Sequence, residues 1–397
     1  MYFVDMVDRE LKDELAAAAS EYPVVTVLGP RQSGKTTLTR MSFARREYRS
    51  LEDPDVRSAA QADPRGFLEN LPDGAILDEI QRTPELLSFI QGRVDNRKKA
   101  GEFILAGSHQ PALHAAISQS LAGRTAVLTL LPFSLPELRH YKKVWDPFDL
   151  AVRGCFPRLH EEGLSHRRFF NGYLQTYLER DVRMLTNLKD LRVFQRFLTL
   201  LAGRVGQVIN YTSLGNDAGV SSTTIKSWVS ILTASFVIFE LPPYFENISK
   251  RVIKSPKLYF TDPGLVAHLV GIETAEQAAR DPLRGALYEN LVILEVLKGR
   301  LNAGLSPSLF YYRDTNGNEV DLIIKAGRNL VPVEIKSAAT FTEEFLKGLV
   351  RFRESAGARV SAGYLMYNGQ ERFTVHGVGV FNPFLHKDPH MASGLPG

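Results

Sequence analysis

Residues able to do phosphate chemistry cluster near the start of the chain. The run Gly29-Pro30-Arg31-Gln32-Ser33-Gly34-Lys35-Thr36-Thr37 fits G-x-x-x-x-G-K-[ST] and lies between an apolar run and a helical stretch. That is the context the pattern requires. Its glycines let backbone N–H groups wrap phosphate oxygens, helped by the positive end of the following helix. In this reading Lys35 reaches the β- and γ-phosphates of ATP, and the Thr36 hydroxyl binds Mg²⁺. "AILDEIQR" ends an apolar run in Asp78 and Glu79. There Asp78 would hold the metal's water shell and Glu79 would polarise the attacking water. Ser108, closing "FILAGS", could sense the γ-phosphate. Arg124 in "LAGRT" is a candidate for transition-state charge, with a strand-end cation as its plainer reading.

A second group sits in "NEVDLIIKAGRNLVPVEIKSA", from Asn318 to Ala338. Strand alternation puts Pro332, Glu334 and Lys336 on one face, and a short turn around Gly327 brings Asp321 alongside. Two carboxylates so placed can share a divalent metal, and a lysine beside them can activate water or stabilise a phosphorane. The bland alternative is an amphipathic hairpin whose charges face water.

What must position these residues is a chain of 397 residues, too long for one ordinary core, so two or three domains are expected. Hydrophobic residues make up 44% and charged ones 23%, as in soluble globular proteins. No apolar run could span a bilayer, and the acidic start is no signal peptide. A single cysteine, Cys155, suits a reducing compartment, so a cytoplasmic protein without a membrane partner is expected. The net charge of +4 permits nucleic-acid binding without demanding it.

Val24–Gly29, Gly74–Glu79 and Glu102–Ser108 read as strands buried on both faces of a parallel sheet covered by helices. Past "RGCFPRL" the pattern turns helical. Two short helices pivoting on Gly219 read as a helix-turn-helix, with Ser221, Ser222, Thr223, Thr224 and Lys226 suited to phosphate contacts. Lys250, Arg251, Lys254 and Lys257, near Tyr259 and Phe260, would form a basic wing. DNA contact and simple packing both fit this module.

The set "GPRQSGKTTL", "AILDEIQ", "ILAGSHQ", "LAGR…LLPFSLPEL", "GCFP", "YLERDV", "PKLYFTDPGL" and "EVDLII…VPVEIK" resembles a prokaryotic family. Its members join an AAA-type P-loop ATPase domain to a C-terminal domain of unknown function 4143. The resemblance spans nearly the whole chain, with Cys155 standing in "GCFP" where many relatives have a second glycine and an aromatic. It implies an AAA+-like core with a Walker A motif at Gly29 to Thr36, a Walker B motif at Asp78 and Glu79, and a sensor at Ser108. Homo-oligomers are common among such ATPases.

The D…ExK arrangement resembles the PD-(D/E)xK nucleases, where a preceding helix often adds an acid. That resemblance makes Glu289, Asp321, Glu334 and Lys336 one site, with the three acids as metal ligands. The expected α/β architecture is a P-loop parallel sheet (1–140), a helical lid (141–190), a winged helix (191–270) and a restriction-endonuclease-like domain (271–397). The function it suggests is a Mg²⁺-dependent ATPase coupled to a DNA-acting, nuclease-like domain. By analogy this suits genome defence or mobile-element control. The rival is an ATP-switched scaffold whose last domain binds a partner or nucleic acid without cleavage.

Overall fold

A computed structural model describes residues 6–108, 111–178, 190–245, 255–314, 317–360 and 362–386. The chain forms two compact units. The first takes residues 1–133 with 234–236 and 301–305, and the second takes the rest.

The first unit is built on five parallel strands: β1 (Val24–Gly29), β2 (Glu47–Ser50), β3 (Ala75–Asp78), β4 (Phe103–Ser108) and β5 (Thr125–Thr129). Their order is β2-β3-β4-β1-β5, so β4 lies between β1 and β3. Both β1 and β4 are buried along their whole length, which is why they read as continuous apolar runs rather than alternating ones. One layer of helices buries Leu86, Leu87, Ile90 and Val94 against the sheet, and another buries Leu15 and Leu38 on the opposite face. This is the parallel-sheet P-loop fold. In such sheets ligands bind beyond the carboxyl ends of the strands, where β1 runs into the glycine loop and β3 ends at Asp78.

The second unit opens with short helices. His166–Tyr173 continues as a wider π turn through Leu174–Leu178; residues 179–189, with part of "YLERDV", lie outside the described residues. Tyr211–Ala218 and Ser222–Ala234 form the helix-turn-helix, and Gly219 takes φ +80° at the turn, a conformation that favours glycine. Strands β6 (Ile238–Leu241) and β7 (Lys257–Phe260) pair antiparallel. The wing expectation needs correction here. Lys257, Tyr259 and Phe260 are buried rather than presented to a duplex, while Lys250, Arg251 and Lys254 lie outside the described residues.

The helix Arg284–Asn302 leads into a mixed six-stranded sheet of β8 (Leu309–Arg313), β9 (Glu319–Ala326), β10 (Asn329–Lys336), β11 (Gly363–Tyr367), β12 (Phe373–Val375) and β13 (Val378–Phe381). The order is β12-β13-β11-β10-β9-β8. Strands β9 and β10 form a hairpin closed by Gly327, at φ +61°, and β10 and β11 run parallel across the helix Lys347–Ala356. That helix buries Leu349 and Phe352 with Val320, Ile323 and Leu365.

Candidate functional site

The glycine loop is shaped by close packing. A Cβ at Gly29 would come within 2.1 Å of the Leu130 carbonyl oxygen, and Gln32 and Gly34 both take positive φ. The loop thereby turns sharply into the helix Lys35–Ser42. Lys35 is buried, and its Nζ donates to the carbonyls of Gly29 (3.1 Å) and Pro30 (2.7 Å). Burial pushes its pKa down to about 8, although Glu79 and Asp78 pull the other way. From behind, Arg9 donates to the carbonyls of Ser33 (2.6 Å) and Leu131 (2.7 Å).

Asp78 collects three donors. Its Oδ2 accepts from Thr36 Oγ1 at 2.7 Å and from the Tyr48 hydroxyl at 2.9 Å. Its Oδ1 accepts from the backbone N–H of Glu79 at 3.0 Å. Glu79 itself sits at φ +55°, an uncommon conformation for a residue with a Cβ and one that clusters at functional sites. The Gln81 amide donates to its carboxylate. Burial, chiefly, raises the pKa of Glu79, against the pull of Lys35. Ser108 ends β4 directly beside Gly29.

Sequence proximity misleads for Arg124. It precedes β5, and its carbonyl accepts from the N–H of Val24 at the start of β1, at the far end of the sheet from the glycine loop. Its side chain forms a two-pronged ion pair with Asp95, at 2.5 and 2.8 Å. Within one chain, Arg124 is a strand-end cation.

The loop suits a nucleotide triphosphate and a hard cation. Gln32 Oε1, Ser33 Oγ and Ser108 Oγ are buried with no hydrogen-bond partner among the described residues, an expensive state unless a ligand satisfies them. Thr36 and Asp78 are the oxygen donors that would hold Mg²⁺. Thr37 faces solvent.

The second cluster also assembles. Asp321 Oδ2 accepts from the Ile335 N–H at 2.9 Å and from Lys336 Nζ at 3.3 Å. Lys336 Nζ also donates to Glu334 Oε1 at 2.5 Å. Glu289 reaches in from the helix Arg284–Asn302 and accepts from the Tyr259 hydroxyl at 2.5 Å and Lys257 Nζ at 3.2 Å. Lys257 further pairs with Glu319 at 2.6 Å and stands 4.0 Å from Asp321. Burial, and then the Asp321 charge, raises the pKa of Glu289 and pushes that of Glu334 up to about 8. Burial lowers Lys257, but the carboxylates of Glu289, Asp321 and Glu319 together outweigh it and raise it.

Glu289, Asp321, Glu334 and Lys336 are therefore neighbours. Lys257, Tyr259 and Glu319, which sequence reading did not place there, complete the group. Lys257 and Tyr259 are two apart on a strand and share a face, a period-2 signal that was open to reading. Tyr48, Gln81 and Arg9 left no pattern to read.

Among known families, the AAA domain matches residues 21–139, the Domain of unknown function (DUF8612) residues 145–276, and the Domain of unknown function (DUF4143) residues 284–384. An uncharacterized protein of Mycobacterium tuberculosis is 32% identical over 342 residues, 84% of this chain and 74% of its own length. One of Haemophilus influenzae is 22% identical over 281 residues, 66% of this chain and 64% of its own. Among solved structures, a Walker-type ATPase of Pyrococcus abyssi aligns with TM-score 0.42 and 16% identity, covering 67% of this chain and 96% of that one. AMPPCP-bound DnaA from Aquifex aeolicus aligns with TM-score 0.29 and 18% identity, covering 56% and 85%. The glycine-loop geometry, the ordered domain matches and the mycobacterial relative together place the protein in the family that joins an AAA-type P-loop ATPase domain to a C-terminal domain of unknown function 4143.

Proposed function

We propose that the chain is a Mg²⁺-dependent ATPase whose nucleotide state controls a nuclease-like C-terminal domain that engages nucleic acid without cutting it. The observation that carries the ATPase reading is the 2.7 Å contact from Thr36 to Asp78, made where the glycine loop leaves its buried acceptors unsatisfied. Lys35 binds the terminal phosphates, and Ser33 and Ser108 offer their hydroxyls to phosphate oxygens. Thr36 and Asp78 hold the cation and its water shell. Mg²⁺, when bound, offsets phosphate charge. Glu79 orients the attacking water and accepts its proton at a carboxylate oxygen, a role that its raised pKa favours.

Arg124 serves this chemistry only from a neighbouring subunit, because its own sheet separates it from its own loop. Turnover per chain then rises with protein concentration, and Arg124→Ala removes that rise. Nucleic-acid contact is supported by the accessible row Ser221, Thr223 and Lys226 at the start of the second helix of the helix-turn-helix. The non-cleaving reading is favoured over the nuclease reading by Lys257, whose ammonium stands among the C-terminal acids.

The test compares wild type, Lys35→Ala and Asp321→Asn with Mg²⁺ or Mn²⁺ on plasmid, single-stranded and branched DNA. Hydrolysis of ATP that is lost in Lys35→Ala, with retained DNA binding and no cutting, is expected. Metal-dependent cutting lost in Asp321→Asn would establish the nuclease instead.

A further inference from the structure

Four carboxylates, those of Glu289, Glu319, Asp321 and Glu334, meet beside β9 and β10, and they would repel one another without cations between them. One cation, Lys336, is local to the hairpin. The other comes from elsewhere in the sequence: Lys257 opens β7, is 4% exposed, and lies 3.2 Å from Glu289, 2.6 Å from Glu319 and 4.0 Å from Asp321. Its backbone is fixed on both sides. β7 pairs with β6, Val208 bridges to Lys257, and Gly206 donates to the Leu258 carbonyl at 2.8 Å. The strand therefore fixes the backbone from which the ammonium reaches the acids.

Divalent cations need several carboxylate or carbonyl oxygens at about 2.0–2.6 Å. Here one oxygen of each acid is already engaged, Glu289 Oε1 by Lys257 and Tyr259, and Asp321 Oδ2 by Lys336 and the Ile335 amide. Glu334 Oε2 is buried without a hydrogen-bond partner among the described residues, but the ammonium groups of Lys257 and Lys336 already stand between the acids, where a metal ion would have to sit. No group of three or more His, Cys, Asp or Glu among the described residues is arranged to hold a metal ion. The side chains that resemble a nuclease's metal ligands thus do not fit a metal in this arrangement.

We infer that Lys257 is a resident cation that takes the place of a divalent metal in the C-terminal carboxylate site. The inference rests on the non-cleaving half of the function proposed above and is independent of ATP hydrolysis. It assigns Lys257 as the residue that decides whether this site accepts a metal at all.

The experiment is calorimetric titration of the nucleotide-free full chain with Mn²⁺. Wild type and Asp321→Asn are expected to give the same isotherm. Lys257→Met is expected to gain a Mn²⁺ site at least about tenfold tighter than any that depends on Asp321 in wild type, lost again in Lys257→Met with Asp321→Asn. A folded Lys257→Met that gains no site overturns the inference. Should that variant fail to fold, the wild-type pair decides: Mn²⁺ binding that disappears in Asp321→Asn overturns it, and identical isotherms support it. Mn²⁺ binding of that kind without DNA cutting sinks this inference alone, whereas Asp321-dependent cutting sinks the non-cleaving reading as well.

Discussion

At the glycine loop, acceptors such as Ser33 Oγ and Ser108 Oγ are buried without partners among the described residues, and a lysine is held by loop carbonyls with its pKa pushed down to about 8. At the C-terminal cluster, one oxygen each of Glu289, Asp321 and Glu334 is already met by Lys257, Lys336, Tyr259 or a backbone amide, and the pKa of Lys257 is raised. Both sites bury charged groups from several elements, and both resemble catalytic centres in sequence. They differ in what they leave unsatisfied. The first keeps groups whose needs a ligand would meet, at a cost to the empty fold, while the second balances its acids with its own ammonium groups and gains rigidity instead. Recognisable side-chain types identify where a site is, and the unsatisfied atoms indicate whether it awaits a ligand.

The largest expected effect tests the first half of that contrast. Glu79→Gln keeps the shape and hydrogen-bonding of the side chain but removes its basicity, so ATP turnover falls by about 10²–10⁴-fold. Nucleotide affinity, read with a fluorescent ATP analogue, stays within a few-fold. Equal loss of binding and turnover would mean that Glu79 shapes the loop rather than serving the chemistry.

Next come the two lysines, whose removal should have opposite signs. Lys257→Met leaves buried carboxylates uncompensated and costs about 3–5 kcal/mol of stability in denaturant unfolding. Lys35→Met relieves an ammonium that burial disfavours, so the nucleotide-free protein stays level or gains about 1–3 kcal/mol. The sign follows from linkage: the folded pKa of Lys35 lies below its ordinary 10.5. The charged lysine therefore weighs on the empty fold up to about pH 8 and ceases to as pH rises toward 10.5. Parallel losses in both variants would break the comparison.

How much of this was legible depended on whether contacts are local. The glycine loop could be read because its chemistry lies in nine consecutive residues with a strand before and a helix after. Asp321, Glu334 and Lys336 could be read because a hairpin fixes cross-strand neighbours once its turn is found. Lys257 and Tyr259 could be read as sharing a face but not as facing these acids, because their partner Glu289 lies 32 and 30 residues away, and the basic residues around them suggested a wing. For Arg124 the strand-end alternative was legible within one chain, because a parallel sheet puts the residue before a strand at the end opposite the site.

Titration of the C-terminal site gives a smaller and directional effect. Burial raises Glu334 from 4.5 to about 8, so its neutral form is the one that the fold favours. Its contribution to stability is present below pH 4.5 and is lost as pH rises through about 8. Glu334→Gln holds the neutral form at every pH. The difference in unfolding free energy between wild type and Glu334→Gln should therefore move against wild type between those limits. A flat difference curve would mean that Lys336 keeps Glu334 ionised throughout.

The smallest effect compares two tyrosines in matching roles. The Tyr48 hydroxyl donates to Asp78 at 2.9 Å, and the Tyr259 hydroxyl donates to Glu289 at 2.5 Å. Burial, with Asp78 alongside, pushes Tyr48 up to about 12, so it remains a donor at neutral pH. Losing one donor from a carboxylate that keeps others is worth about 1–2 kcal/mol, but the two losses should be read out differently. In Tyr48→Phe, Asp78 keeps Thr36 and the Glu79 amide yet loses the bond that fixes its orientation. The Mg²⁺ concentration giving half-maximal ATP turnover should rise about tenfold while turnover at saturating Mg²⁺ changes little. Tyr259→Phe should lower unfolding stability by a similar free energy and leave the Mg²⁺ dependence untouched, because its acid answers to Lys257 rather than to a metal. A shift in Mg²⁺ dependence with Tyr259→Phe would mean that the two sites share more chemistry than their hydrogen bonding indicates.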